Sequence, residues 1–373
     1  MKILYLMHVN WHWIRQRPHV LADQLAAHHQ LTLLHFAMYR GGHRVAEAAP
    51  AFAAHTLLRL PERIKRIGAV FDRCNALWLA RQVDRHMRAV RPDLVWLTHP
   101  DLEPAVSRLD GVKLVYDCMD DHLAFHAASA ASVAASERRL VARADLTLFS
   151  SRTLAQRVQQ RATVRRGEVV NNGLAESLLD RLRDSPDKPR TGPATPGQVT
   201  LGYFGTLSHW FDWPLMLRLL ETLPRARLVL AGPIEATLPE HPHISHVGLL
   251  PHAALADFAA GCDALVMPFI VNELIEAVDP VKLYEYIALD LPALAPRYPE
   301  STRFEPWAQL YRDADEAIAL VRRIATLAAP AGTRSQRLSF LEGNTWAMRG
   351  QQIDTALQSL PCRTGAAALG TDR

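Results

Sequence analysis

Short apolar runs alternate with longer amphipathic stretches, and they do so twice along the chain. In the first half the runs are Lys2 to Met7, Leu31 to His35, Leu94 to Leu97, Lys113 to Tyr116, Leu146 to Phe149 and Glu168 to Val170. Helical periodicity fills the gaps over Arg15 to His28, Ala69 to Val90, Ala127 to Arg143 and Ser151 to Arg161. The rhythm restarts at Val199 to Phe204 and runs through Leu215 to Thr222, Ala226 to Leu230, Ala253 to Ala260, Ala264 to Val266, Pro280 to Leu289 and Ala314 to Ala328. Strands apolar on both faces need helices on both sides, so the pattern predicts two doubly wound α/β domains.

A length of 373 residues agrees with two cores rather than one. Between the two copies, Asp184 to Gln198 carries four prolines and two glycines with no apolar period, which reads as a linker. The expected organisation is a first domain over 1–184, a linker over 185–198, a second domain over 199–343, a helix over 344–361 that crosses back, and a disordered tail over 362–373. With 49% hydrophobic and 21% charged residues the chain has material for packed cores. No run reaches a membrane span; Ala253 to Val271 comes nearest and is broken by Asp257 and Asp263. The opening run is too short for a signal peptide and reads as a buried strand, and Cys74, Cys118, Cys262 and Cys362 show no paired spacing. A cytoplasmic location is expected.

The formal net charge of +4 hides an asymmetry: residues 1–183 hold 26 Lys+Arg against 17 Asp+Glu, and the remainder 16 against 21. A basic first half suits an anionic membrane surface or an acidic substrate. Arg59–Phe71 is basic and amphipathic and would serve as a peripheral membrane contact, or as an ordinary helix with a solvated face. No nucleic-acid motif is present, so nucleic acid is not an expected partner.

Ligands of parallel sheets sit at the carboxyl ends of the strands, and two such sheets place a natural site in the cleft between them. The turn after the first strand, His8 to Trp13, has no glycine, which argues against a dinucleotide there. It is crowded instead with Trp11, Trp13, Arg15 and Arg17, whose rings and guanidinium groups suit a sugar and an acidic acceptor, unless they pack and pair internally. His99 and Asp117 follow later strands and are candidates to touch an acceptor hydroxyl; Asp117 would otherwise cap a helix. Asp120-Asp121 and the histidines of His241 to His246 fit no metal pattern. In the second half Gly205 opens a phosphate-sized turn. Farther on, Pro280 sits at a helix start that carries Lys282 and Glu285, where Lys282 would meet a diphosphate and Glu285 a ribose. A surface ion pair of spacing i,i+3 would use the same two residues.

Taken in order, Gly202-Tyr203-Phe204-Gly205 with Trp210-Phe211-Asp212, Leu230-Ala231-Gly232-Pro233, Val247 to Pro251, Asp263 to Phe269 and Asp279 to Tyr286 resemble retaining GT-B glycosyltransferases of the group 1, family 4 type. Trp13 to His19, Val115 to Asp121, Ala144-Asp145 and Ser150-Ser151 look like the teichuronic acid and exopolysaccharide branch of that group. The resemblance implies a GT-B fold and a nucleotide-sugar donor bound by the second domain. It implies a glycan or lipid-linked acceptor on the first domain, at the inner face of the cell membrane, with no cofactor and no metal. Donor contacts are implied at Gly205, Thr206, Gly232, Leu250, Asp279, Val281, Lys282, Leu283 and Glu285, with Asp117, Lys282 and Glu285 nearest the chemistry.

Three departures mark the chain. Glu285 matches the second acid of the E-x7-E motif of such enzymes, but the first falls on Ala277, leaving Glu276 or Asp279 to replace it. Thr206 and Phe211 stand where an arginine and a lysine are usual, and Asp290 stands where glycine is common. Ala277 and the missing loop cations motivate a second reading, a GT-B-shaped protein that binds a nucleotide sugar or glycan without turnover; a third is a sugar-nucleotide epimerase of similar shape.

Overall fold

A computed structural model describes residues 1–37, 49–60, 69–107, 109, 111–125, 130–185, 197–326 and 330–361. The chain forms two compact units, one of Met1–Asn171 with the residues from Arg349 onward, the other of Asn172–Met348.

The first unit is a single parallel sheet of β1 (Lys2–Met7), β2 (Gln30–Phe36), β3 (Ala53–Leu57), β4 (Leu94–Leu97), β5 (Lys113–Cys118), β6 (Leu146–Phe149) and β7 (Gly167–Val169), in the order β3-β2-β1-β4-β5-β6-β7. The central strands are buried along nearly their whole length, as their unbroken apolar runs require. Leu4 of β1 lies opposite Thr32 of β2 on one side and Val95 of β4 on the other. Strand β3 was not expected: its sequence Ala-Ala-His-Thr-Leu sits at the sheet edge, mostly outside the core, and so lacks an apolar run.

The second unit repeats the plan with β8 (Val199–Phe204), β9 (Ala226–Ala231), β10 (Ile244–His246), β11 (Ala264–Val266), β12 (Ala293–Pro296) and β13 (Gln309–Tyr311), ordered β10-β9-β8-β11-β12-β13 and parallel throughout. In each sheet the order reverses once, between β1 and β4 and between β8 and β11. These are the switch points beside which the strand ends leave room for a ligand. Two doubly wound Rossmann-like domains are therefore the architecture, as the sequence rhythm predicts.

The domain boundary differs from the expected one. The helix Glu176–Asp184 belongs to the second unit, because its stripe of Leu178, Leu179 and Leu182 enters the core around β8. The chain thus changes unit at Asn171–Asn172, ahead of the Pro-rich stretch, of which 186–196 lies outside the described residues, as does the tail 362–373. The helix Trp346–Gln358 groups with the first unit from Arg349 on. Asp290, just past the helix Val281–Ala288, takes the left-handed conformation (φ 58°) that suits glycine or a short acid, and the buried Arg337 holds its carboxylate at 2.5 Å. Among the described residues no helix is long and apolar enough to cross a membrane. Most of the basic stretch Arg59–Phe71, at 61–68, lies outside the described residues.

Candidate functional site

In the second unit three consecutive strand ends are stitched together. The Gly205 N–H donates to the Ala231 carbonyl at 2.8 Å and the Gly232 N–H to the Gly248 carbonyl at 2.8 Å, while the His246 ring meets the Gly232 carbonyl at 2.8 Å. Gly205 (φ 132°) and Gly232 (φ 129°) have backbones that only glycine adopts readily. A Cβ on Gly232 would lie 2.2 Å from the Gly205 carbonyl oxygen, and one on Gly205 would lie 2.6 Å from Cε and 2.7 Å from Nζ of Lys282. Gly205 therefore leaves the space that the lysine occupies, and Gly232 lets the Gly205 backbone approach it.

Lys282 rises from the first turn of the helix Val281–Ala288, with Pro280 at its cap. Its ammonium stands 5.6 Å from the Tyr203 ring centroid and 5.7 Å from that of Phe269, a cation–π setting. Burial lowers its pKa, opposed by the charge of Glu285. Among the described residues no carboxylate lies within ion-pair distance of Nζ, so the alternative of a Lys282–Glu285 surface pair is not what forms. Glu285 instead has the His252 Nε2 3.8 Å away and keeps its side chain 17% exposed. The site thus combines a desolvated cation, the amino end of a helix and a carboxylate one turn along, a set that fits a diphosphate followed by a diol.

Thr206, Leu250 and Val281 sit around this point, half-buried, and the Thr206 carbonyl accepts from the Tyr203 hydroxyl at 2.9 Å. Two expected contacts are corrected. Asp279 is fully enclosed: its carboxylate accepts the Asn172 N–H at 2.6 Å and pairs with Arg303, so it braces the turn rather than meeting a ligand. Leu283 is 0% exposed and its N–H is spent on the Pro280 carbonyl, so neither its side chain nor its backbone is offered. Ala277, at the first acid position of the motif, is buried as well, with Glu276 half-buried beside it.

In the first unit the crowded turn after β1 resolves largely into internal packing. Arg17 and Asp117 form a bidentate pair, Nε to Oδ1 and Oδ2 at 3.0 and 3.1 Å and a terminal nitrogen to Oδ1 at 2.8 Å, with side chains 3% and 0% exposed. A further Arg17 nitrogen donates to the Val170 carbonyl at 2.8 Å. Both residues are withdrawn from any ligand, a correction to their expected acceptor and catalytic roles. Asp117 also lies inside β5 rather than capping a helix, because the strand runs on to Cys118. Trp11 is 2% exposed and packs on His19 and Phe52, so it too is core. Arg15 is exposed but paired with Asp23, and Trp13 remains partly exposed. Asp121 pairs with Arg157 and Arg161.

His99 stays at the surface of this turn region and has company that the sequence did not announce. His8, directly after β1, and His122, opening the helix His122–Phe125 after β5, stand with their ring centroids 5.0 and 4.1 Å from that of His99 and 6.1 Å from one another. Each follows a strand, which is the signal that was available for finding them. Two residues before His122, the Asp120 carboxyl is pushed up to about 7 by burial, with Arg17 opposing and Asp117 and Asp121 adding.

Burial also pushes the pKa of His19 down to about 4, against the help of its bond to the Asn10 carbonyl, and lowers those of His8, His99 and His122. Such groups bind protons more readily unfolded than folded. Their contribution is complete above the ordinary value of 6.5 and is lost as the pH falls toward the folded value. For His19 alone that amounts to about 3 kcal/mol between roughly pH 6.5 and 4. Asp120 runs the other way, its contribution being present in acid and lost as the pH rises from the ordinary 3.8 to about 7. The thermal midpoint is expected to fall as the pH drops from about 7 to about 5. His19→Gln should flatten that fall and Asp120→Asn should steepen it; midpoints recorded against pH check both signs.

No protein-family model matches the chain. Over 247 residues, 60% of its length, the chain is 23% identical to TuaH of Bacillus subtilis (strain 168), named "Putative teichuronic acid biosynthesis glycosyltransferase", and the match spans 60% of that relative. Among solved structures it is similar to a sucrose-phosphate synthase from Thermosynechococcus elongatus, with a TM-score of 0.71 at 12% identity over 96% of this chain and 99% of the other. HepE of Anabaena, in complex with UDP and glucose, gives 0.66 at 15% identity over 96% of this chain and all of the other. The lipopolysaccharide outer core galactosyltransferase WaaB gives 0.68 at 12% over 96% and 99%. The chain therefore has the GT-B fold, and it resembles the group 1 glycosyltransferases of the teichuronic acid type in sequence as well as in architecture.

Proposed function

We propose that the protein is a metal-independent glycosyltransferase that takes a sugar from a nucleotide-sugar held by the second unit and passes it, with retention, to a glycan or lipid-linked acceptor held by the first. The observation that carries this reading is the half-buried Lys282, its ammonium lodged against Gly205 at the start of a helix, with no carboxylate at ion-pair distance among the described residues. A cation held so, with no counter-ion among the described residues, is stabilised when a diphosphate arrives.

In this mechanism Lys282 and the helix N–H groups take up the charge that grows on the departing diphosphate, which is where most of the barrier lies. Glu285 accepts hydrogen bonds from the ribose hydroxyls and fixes the donor's register. The leaving oxygen itself receives the acceptor proton, so no side chain need serve as a strong base. The UDP of HepE makes a UDP-sugar the first candidate donor, and TuaH and WaaB favour an acceptor of the cell envelope, worked on in the cytoplasm. Ala277 and Thr206, where acid and cation are usual, favour a second reading in which the nucleotide sugar is bound without turnover.

A thermal-shift panel of UDP, GDP, ADP, CMP and dTDP sugars tests the donor site. One nucleotide family is expected to raise the midpoint, by mass action on the native state, and Lys282→Ala and Glu285→Ala should each abolish the rise. No response to any of them would overturn the proposal; binding without nucleotide release in the presence of acceptor glycans would leave the second reading.

A further inference from the structure

We propose that His8, His99 and His122 form a binding site for an anionic group, phosphate or carboxylate, of the ligand held by the first unit, and that a proton is taken up from solvent as it binds. Calling that ligand an acceptor rests on the function proposed above; the anion site itself does not.

The cluster occupies the carboxyl ends of β1, β4 and β5, beside the switch point of the sheet. The His99 Nδ1 accepts the Asp101 N–H at 3.0 Å, so its neutral ring carries hydrogen on Nε2. The His8 Nδ1 lies 2.7 Å from the Thr98 hydroxyl. Among the described residues neither His8 nor His99 has a hydrogen-bond partner at Nε2. His19, by contrast, has one at each nitrogen, Gln16 and Asn10, as a structural histidine should. His8 and His99 are partly open, whereas His122 is buried.

The charges that act on the rings are mostly positive. His8 feels Arg59 and His19; His99 feels most the half-exposed Asp101 at 3.8 Å, with Arg59 opposing it; His122 feels Arg161, whose nitrogens are held by Asp121 and Glu137. Each ring disfavours a proton on the other two, and burial disfavours it on all three. When empty, the cluster therefore stays neutral. An anion in its midst turns that repulsion into attraction, so a proton from solvent joins the complex. Three basic rings packed together, with Asp101 the one acid acting on them among the described residues, is an arrangement that a negative ligand relieves and a neutral one does not.

Sulfate, which does not titrate near neutrality, is the probe, with calorimetry on the whole protein in two buffers of different ionisation heat. Sulfate is expected to bind about tenfold more tightly near pH 6 than near pH 8, with uptake of about one proton. His99→Gln and, separately, His8→Gln should each lose about tenfold and the uptake with it. Glucose 6-phosphate and glucuronate, run beside glucose, separate the two anion sources, since the one that gains over glucose names the group. Binding that ignores pH, binding unchanged in both variants, or neither anion exceeding glucose would overturn the proposal. The wild-type proton count needs no variant to fold. Nucleotide binding at Lys282 is a separate readout, so failure of the anion site leaves the donor reading standing and failure of the donor panel leaves the anion site.

Discussion

Lys282→Ala is expected to lower affinity for a nucleoside diphosphate about 100-fold and to leave the fold intact. A charge-assisted hydrogen bond to phosphate in a desolvated setting contributes about 1.5–3 kcal/mol, and at the upper end that is two orders of magnitude. Thr206 and Phe211 hold the places where similar enzymes carry an arginine and a lysine, so the loss is not cushioned. The same reasoning extends to Gly205→Ala, whose methyl would meet Cε and Nζ of Lys282 at 2.6 and 2.7 Å on a backbone at φ 132° that alanine resists. Lys282→Arg should not rescue binding, because the planar fork is too large for a slot closed by Gly205 on one side and the rings of Tyr203 and Phe269 on others. Calorimetric titration with the nucleotide picked out by the panel checks all three. Affinity within threefold of wild type in Lys282→Ala would remove the ammonium from the site.

The second large effect is on stability. Asp117→Ala is expected to cost about 3–5 kcal/mol, because it strands the buried Arg17 guanidinium without its counter-ion. For a unit of this size that lowers the thermal midpoint by about 10 °C. A double replacement, Arg17→Met with Asp117→Leu, should recover most of the loss, since an apolar pair of similar volume avoids the desolvation of two charges. Asp117 acting directly on an acceptor would give the opposite pattern: activity lost, midpoint unchanged, and no recovery in the double variant. Melting curves of the three variants decide it.

The architecture was legible because strands such as Leu94–Leu97 and Ala264–Val266 are apolar throughout and stand between helical periods. The edge strands β3, β10 and β13 were not, since three to five half-exposed residues carry no period. Strand β12, Ala-Leu-Ala-Pro, is buried but has neither β-branched nor aromatic residues to announce it. The boundary was missed for a related reason: prolines mark where a chain is irregular, whereas the unit to which a helix belongs is decided by what its leucines meet.

Within the site, the glycine turns and the helix start of Lys282 were readable because both depend on local geometry. What could not be read was pairing across the sequence. Nothing near Arg17 says that its partner is 100 residues on, or that Asp279 will be closed in by Asn172 and Arg303. Arginine and aspartate beside a strand end look alike whether they face a ligand or one another, and only the fold separates the cases. His8 and His122 were passed over for the same reason, because each alone is an ordinary histidine and only their approach to His99 makes them a cluster.

Release of nucleoside diphosphate from the matching nucleotide sugar, followed with and without an envelope glycan acceptor, tests directly whether Lys282 serves sugar transfer. Wild type is expected to release it faster with acceptor, transferring the sugar with its anomeric configuration kept, and Lys282→Ala should fall to background while Asp120→Asn keeps the donor-dependent step. Release that is absent in wild type although the nucleotide binds would mean binding without transfer, and release equal in wild type and Lys282→Ala would mean that the ammonium takes no part in it.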